Sequence, residues 1–410
     1  MDALIVVGLI FVVSYLLTRR LFSTRKALLG FRSLFFSGTE LVLVGYLIGP
    51  NGFGLLTPTV IESLEPLIHL ALGWAGLMFG LQFNRRSMML YRRRRWALGF
   101  TQALLTTIFV GSISWLILAL VVPSLDFETR MRAAAILGIC AGPTAPTSIH
   151  YFSTVFEIRG RVNRLLKFIA GIDAVPSVVL LGFAGAMLHV TDPGHAGGLS
   201  GWKWLLVGIL IGVLLGLLLS VLVGLRFKPE ELFLFVLGVV ALASGMAQFL
   251  HLPTVFLSFV AGITAANTAW HREEVHKVTA HAEKPIYLTF LTLTGTHLVL
   301  TDSRVLTLAA LLLLLRLLGK VVGNTTWRWL SIEPEARSPL LGLALLSQGG
   351  MTLVIAMDFF FLYGFDPNRI SATTVVVSAV VVAVLANELL SPLFIRGLFS
   401  ANESSKPAVP

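Results

Sequence analysis

Long apolar stretches separated by short polar breaks run the length of the chain, and their lengths are those of bilayer crossings. A spanning helix needs about 20 apolar residues, and the stretches that reach or approach this length number roughly 13. They cover 3–18, 33–49, 62–82, 97–122, 133–153, 165–189, 202–225, 231–250, 253–270, 285–301, 305–326, 338–362 and 371–395. The pattern predicts an all-α polytopic membrane protein. The first run has no basic segment before it and no Ala-x-Ala-like exit after it, so it reads as a retained helix and not a cleaved leader.

The polar breaks alternate in charge. Every second one is basic: Arg19, Arg20, Arg25 and Lys26; Arg85, Arg86 and Arg92 to Arg95; Arg159, Arg161 and Arg164; Arg226 and Lys228; Arg272 and Lys277; Arg328 and Arg337; then Arg396. The intervening breaks carry acids such as Asp126, Asp192 and Asp366. Basic loops mark the cytoplasmic side, which sets the N-terminus outside and the C-terminus inside. The formal charge of +10 is thereby explained as topology and contact with anionic lipid, and no nucleic-acid partner is expected.

Composition agrees: 56% of residues are hydrophobic and 13% charged, against about 25% charged in soluble domains. The single cysteine, Cys140, excludes an internal disulfide and reads as packing in an apolar span. His271, His276 and His281 fall in what the pattern makes an exposed connector before residue 285. The stretch 397–410 reads as a short polar cytoplasmic tail, so nucleotide-binding regulation, if used, is expected from a separate cytoplasmic protein. There is no Walker loop, dinucleotide fingerprint or zinc-ligand cluster in the sequence. Neither an enzyme nor a cofactor is indicated.

Candidate chemistry sits where helices are broken inside the bilayer. In the fifth span, Pro143 and Pro146 lie three apart, each lacking an amide donor and crowding the preceding turn. In the twelfth, Ser347-Gln348-Gly349-Gly350 places two weak helix formers beside a polar amide. Unwound backbone at this depth is tolerated only inside protein or beside water, and paired broken helices point to an inverted-repeat transport site. One crossing after the first break lies Asp173, alone in the apolar run from Phe168 to Leu188; one crossing before the second lies Arg316. Both fall roughly 15 Å from the basic ends of their spans, about half the hydrocarbon thickness.

A carboxylate there can bind a proton or a hard monovalent cation, and competition between the two is antiport. Thr144, Thr147 and Ser148 are candidate oxygen ligands beside Asp173. Arg316 keeps its proton and serves as a fixed countercharge. Lys320, one turn on, is expected to snorkel to the cytoplasmic surface. Glu388, beside Asn387, is expected either to support Arg316 and the twelfth span or to face water. A structural Asp173–Arg316 ion pair with no transport role is the alternative.

Several stretches resemble the monovalent cation/proton antiporter superfamily, especially its potassium-efflux and sodium/proton branch. They are Gly45-Tyr46-Leu47-Ile48-Gly49-Pro50, Gly80-Leu81-Gln82-Phe83, Ile172-Asp173, Arg316-Leu317-Leu318-Gly319, Leu346-Ser347-Gln348-Gly349-Gly350 and Asn387-Glu388-Leu389-Leu390-Ser391-Pro392. The resemblance implies a homodimer in a bacterial inner membrane. It implies core helices at about 97–189 and 305–395 moving like an elevator against scaffold helices at about 3–82 and 202–301, all within residues 1–396. Two residues depart from the family pattern. Ile172 stands where a polar or acidic residue is usual, leaving one titrating core acid and favouring one-for-one, electroneutral exchange of Na+ or K+ for H+. Met351 stands where the potassium-efflux branch has a Glu, which weighs against potassium efflux and leaves the ion open. A partner-gated cation channel and a non-transporting sensor or assembly subunit are the competing functions.

Overall fold

The computed structural model describes residues 37–89, 91–121, 125–155, 160–189, 199–225, 228–269, 272–330, 340–364 and 372–404. The expected first span and residues 33–36 of the second lie outside them. The described residues form sixteen helices: α1 (Glu40–Ile48), α2 (Pro58–Leu81), α3 (Arg85–Met89), α4 (Arg93–Val121), α5 (Phe127–Ala141), α6 (Pro146–Val155), α7 (Arg161–Ile172), α8 (Ala174–Met187), α9 (Gly201–Gly224), α10 (Pro229–Phe249), α11 (Thr254–Thr268), α12 (Arg272–Thr296), α13 (Ser303–Leu330), α14 (Leu340–Ala344), α15 (Gly350–Tyr363) and α16 (Ala372–Ser404). The protein is an all-α polytopic membrane protein with discontinuous helices.

By length and composition, seven helical segments among the described residues can each cross a membrane unaided. Among the described residues, two of the other expected crossings are split. Pro143 and Pro146 divide the fifth into α5 and α6, with Pro146 as the first residue of α6, where a missing amide costs nothing. The twelfth is divided into α14 and α15. The sixth, one of the seven, is interrupted at Asp173 between α7 and α8. The cause is Pro176, which lacks the amide that would reach the Ile172 carbonyl and whose ring crowds it. The exposed connector carrying His276 forms part of the first half of α12, and α16 continues past residue 396 to Ser404.

Packing relies on glycine where backbones meet. α11 lies against α2: a Cβ at Gly80 would stand 2.3 Å from the Phe259 carbonyl, and one at Gly262 2.4 Å from that of Leu77. α12 lies against α1 in the same way, through Gly45 and Gly295. Elsewhere α13 packs on α4 and α16, and α5 on α4 and α15. Helices α8 and α15 also touch the helices around α2 and α11. An apolar-lined cavity of about 430 Å³ lies where α2, α12, α6 and α15 approach one another.

Candidate functional site

The two interruptions cross. The Ala145 amide donates to the Ser347 carbonyl at 3.0 Å, and Gly349 packs so closely that a Cβ there would stand 2.9 Å from that of Ala145. Unwinding leaves carbonyls at the ends of α5 and α14 without helical partners. One face of α13 supplies them with cations. Arg316, fully buried, donates from Nε to the Ala141 carbonyl at 3.1 Å and from Nη2 to that of Pro143 at 2.7 Å. Its Nη1 bonds the Leu346 carbonyl. One guanidinium thus binds both breaks.

Gln348 pins the crossing from the other strand. Its Nε2 donates to the Cys140 carbonyl at 2.8 Å, and its Oε1 accepts from Asn387 Nδ2 at 2.6 Å. Near the starts of α6 and α15, where helix dipoles favour negative charge, lies buried Glu388. Ser148 on α6 donates to its Oε1 at 3.5 Å, while Ser37 and Thr39 donate to its Oε2 at 2.6 and 2.9 Å. The carbonyl ends therefore receive cations and the amide ends an acid.

Asp173 is fully buried and faces the first break from the α7–α8 turn. The Thr144 amide donates to its Oδ1 at 3.0 Å, and the Thr144 hydroxyl to its Oδ2. The cation on this carboxylate is Lys320, whose Nζ lies 3.3 Å from Oδ2. Lys320 is fully buried, contrary to the expected snorkelling, because Nζ also donates to the Gly142 carbonyl at 2.6 Å and Thr144 Oγ1 at 3.0 Å. Those two acceptors are made available by the unwound segment itself. A lysine one turn from Arg316 on the same helix face was the signal.

The expected ligand set does not converge. Thr144 is on Asp173, but Ser148 is on Glu388, and Thr147 is exposed on the cavity wall. The spacing of a new helix turns successive side chains in different directions, and α6 begins at Pro146. Glu388 does not face water, as one of its expected roles required. Ile172, in the place of a second polar group, is buried and packs on Gly99. Met351 lines the cavity, whose wall includes Thr144, the hydrogen-bond partner of Asp173, and Gly171 and Ala174 on either side of Asp173 in the chain. At one end the cavity meets the exposed side chains of Gln82, Glu283 and Lys284.

Residues 27–396 match the family described as sodium/hydrogen exchanger, transmembrane. The chain belongs to this family. Two solved structures share its fold, both of the sodium proton antiporter MjNhaP1 from Methanocaldococcus jannaschii. The structure at pH 8 gives a TM-score of 0.63 at 15% identity, covering 98% of each chain. The electron-microscopy structure gives 0.59 at 14% identity, covering 99% of this chain and 100% of the other. At these identities the likeness is one of fold. No curated protein matches the chain. As an exchanger-family member it is a transporter of a monovalent cation and H+ and not an enzyme.

Proposed function

We propose that the protein exchanges Na+ or K+ for H+ by alternating access, with Asp173 holding the proton and the cation in turn. The observation that carries this reading is a fully buried carboxylate at the crossing of two interrupted helices, one residue from a cavity wall. A non-transporting sensor has no use for such placement, and a buried acid with its own ammonium is a costly arrangement for a scaffold. The antiport activity named for the archaeal structures supports Na+ as the first ion to test.

Lys320 decides the charge carried. An ammonium has three N–H groups, and three acceptors surround it, the two nearest being Gly142 and Thr144 rather than Asp173. It is therefore held as a cation even when Asp173 turns to another partner. The proton-loaded site is then neutral Asp173 beside Lys320 ammonium; the cation-loaded site is ionised Asp173, a bound cation and the same ammonium. Both carry one positive charge, which makes the exchange one for one and electroneutral. If Lys320 lost its proton on cation binding, two protons would move per cation and current would flow. Reversal of flux in proteoliposomes under imposed voltage separates the two: the proposal expects reversal at equal cation and proton gradients at every voltage. A voltage-shifted reversal would overturn it.

In this reading α4 to α8 and α13 to α16 form the moving core, its halves inverted repeats, and α1 to α3 with α9 to α12 the scaffold. The glycine-mediated docking of α11 on α2 and α12 on α1 supports a rigid scaffold. Cavity access near Gln82 and Lys284, close to basic loops, corresponds to an inward-facing state with the C-terminus cytoplasmic. Homodimer assembly in a bacterial inner membrane, with anionic lipid at the basic loops, is part of the same reading.

A further inference from the structure

The apolar run of α15 contains a second buried acid, Asp358, 1% exposed. It lies eight residues beyond Gly350, about 12 Å along the helix. It is also away from the cavity's exposed end: Phe361, three residues on, packs at a tilt on His69 of α2, thirteen residues before Gln82. Its two oxygens take different partners on α11. Oδ1 accepts the Thr254 amide at 3.0 Å and Oδ2 the Val255 amide at 2.9 Å. These are the first two residues of α11, whose amides have no helical acceptor. The residue before them is Pro253, and α11 has no side-chain cap of its own. Asp358 supplies one from a helix more than a hundred residues away.

The surrounding contact is close and apolar. Across the same start of α11, a Cβ at Gly182 of α8 would meet the Phe256 ring at 2.4 Å, and one at Gly185 would meet Pro253 at 2.4 Å. Hence α8 and α15, both on the proposed core, close on one end of a proposed scaffold helix, and the carboxylate makes polar bonds across that seam, beside the one from His189 Nε2 to the Leu250 carbonyl at 2.9 Å. We propose that Asp358 is a positioning residue for transport: a latch that holds the core on the scaffold at the end opposite the cavity opening and must release α11 for the site to face that side. The inference rests on the moving-core reading above. It explains why an acid that does not itself line the cavity is retained in this apolar helix. Two charge-assisted bonds set the bias toward the state seen here.

The test uses full-length protein carrying Met351→Cys on the cavity wall, labelled by an impermeant maleimide from each face of oriented vesicles. Two variants weaken the latch from opposite sides. Asp358→Asn turns an amide N–H toward one of the two donors. Thr254→Pro removes the other donor at a first-turn position that accepts proline. Each should shift the ratio of labelling from the two faces by roughly tenfold or more toward the side opposite the cavity opening, and the double variant should shift it by less than the product. Correctly folded variants labelled in the parental ratio would overturn the latch alone. A parent never labelled from the second face, under any cation or proton gradient, would instead overturn the moving-core reading beneath it.

Discussion

Replacing Lys320 by Met removes the ammonium but keeps the side chain's length, and so isolates what its charge does for Asp173. At 3.3 Å and an effective dielectric near 20, the attraction between the two charges is about 5 kcal/mol, from which the cost of burying both must be subtracted. Breaking such a pair from one side costs roughly 3–5 kcal/mol, because the surviving charge stays buried without a partner. Asp173→Asn alone is milder, at about 1.5–3 kcal/mol, since Lys320 keeps Gly142 and Thr144. The double variant leaves neither charge behind. Its loss should fall short of the sum of the single losses by about 1–3 kcal/mol. Denaturant unfolding in mild detergent, extrapolated linearly, measures all four corners of the cycle. Additivity within about 0.5 kcal/mol would refute the assignment of Lys320 as the partner of Asp173.

Gly350→Ala places a Cβ 2.1 Å from the Tyr287 hydroxyl, so it should abolish cation-dependent proton flux, and Tyr287→Ala should restore a measurable part of it; no restoration would show that the clash is not the cause. Gln348→Leu strands the Cys140 carbonyl and the Asn387 amide and should cost about 1–3 kcal/mol in the same unfolding assay. Outside the membrane, Asp126 caps α5 by accepting the Thr129 amide at 2.9 Å, a bond that holds its carboxyl below the ordinary value. A lowered folded value means the stabilisation is present above the unfolded value and is lost as pH falls through the folded one. Amide exchange at Thr129 should therefore accelerate, relative to Asp126→Ala, only in acid.

What was legible in the sequence was whatever the bilayer makes expensive. Pro143, Pro146 and the Gly349-Gly350 pair read as breaks because a membrane helix cannot lose backbone bonds without local compensation, and each break lies where expected. Asp173 and Arg316 stood out as charges in apolar runs and are both fully buried at those breaks. Partnerships were less legible. Snorkelling is a sound rule for a lysine facing lipid, but Lys320 faces the unwound segment, and a one-dimensional pattern does not reveal which face that is. Thr147 and Ser148 share a short motif with Thr144 yet point elsewhere because α6 starts between them. The turn at Asp173 had a signal in Pro176. Asp358 carried the same signal as Asp173, an acid in an apolar helix, and its partners belong to a helix start whose lack of a cap becomes visible only once Pro253 is seen to precede it.

Proton flux in proteoliposomes bearing wild type or Asp173→Asn, challenged separately with Na+, K+ and Li+ at matched osmolarity, tests the central claim most directly. The account predicts wild-type flux that tracks one of these cations, persists with the membrane potential clamped and disappears in the variant. Cation-driven proton flux that survives in correctly folded Asp173→Asn protein would contradict it.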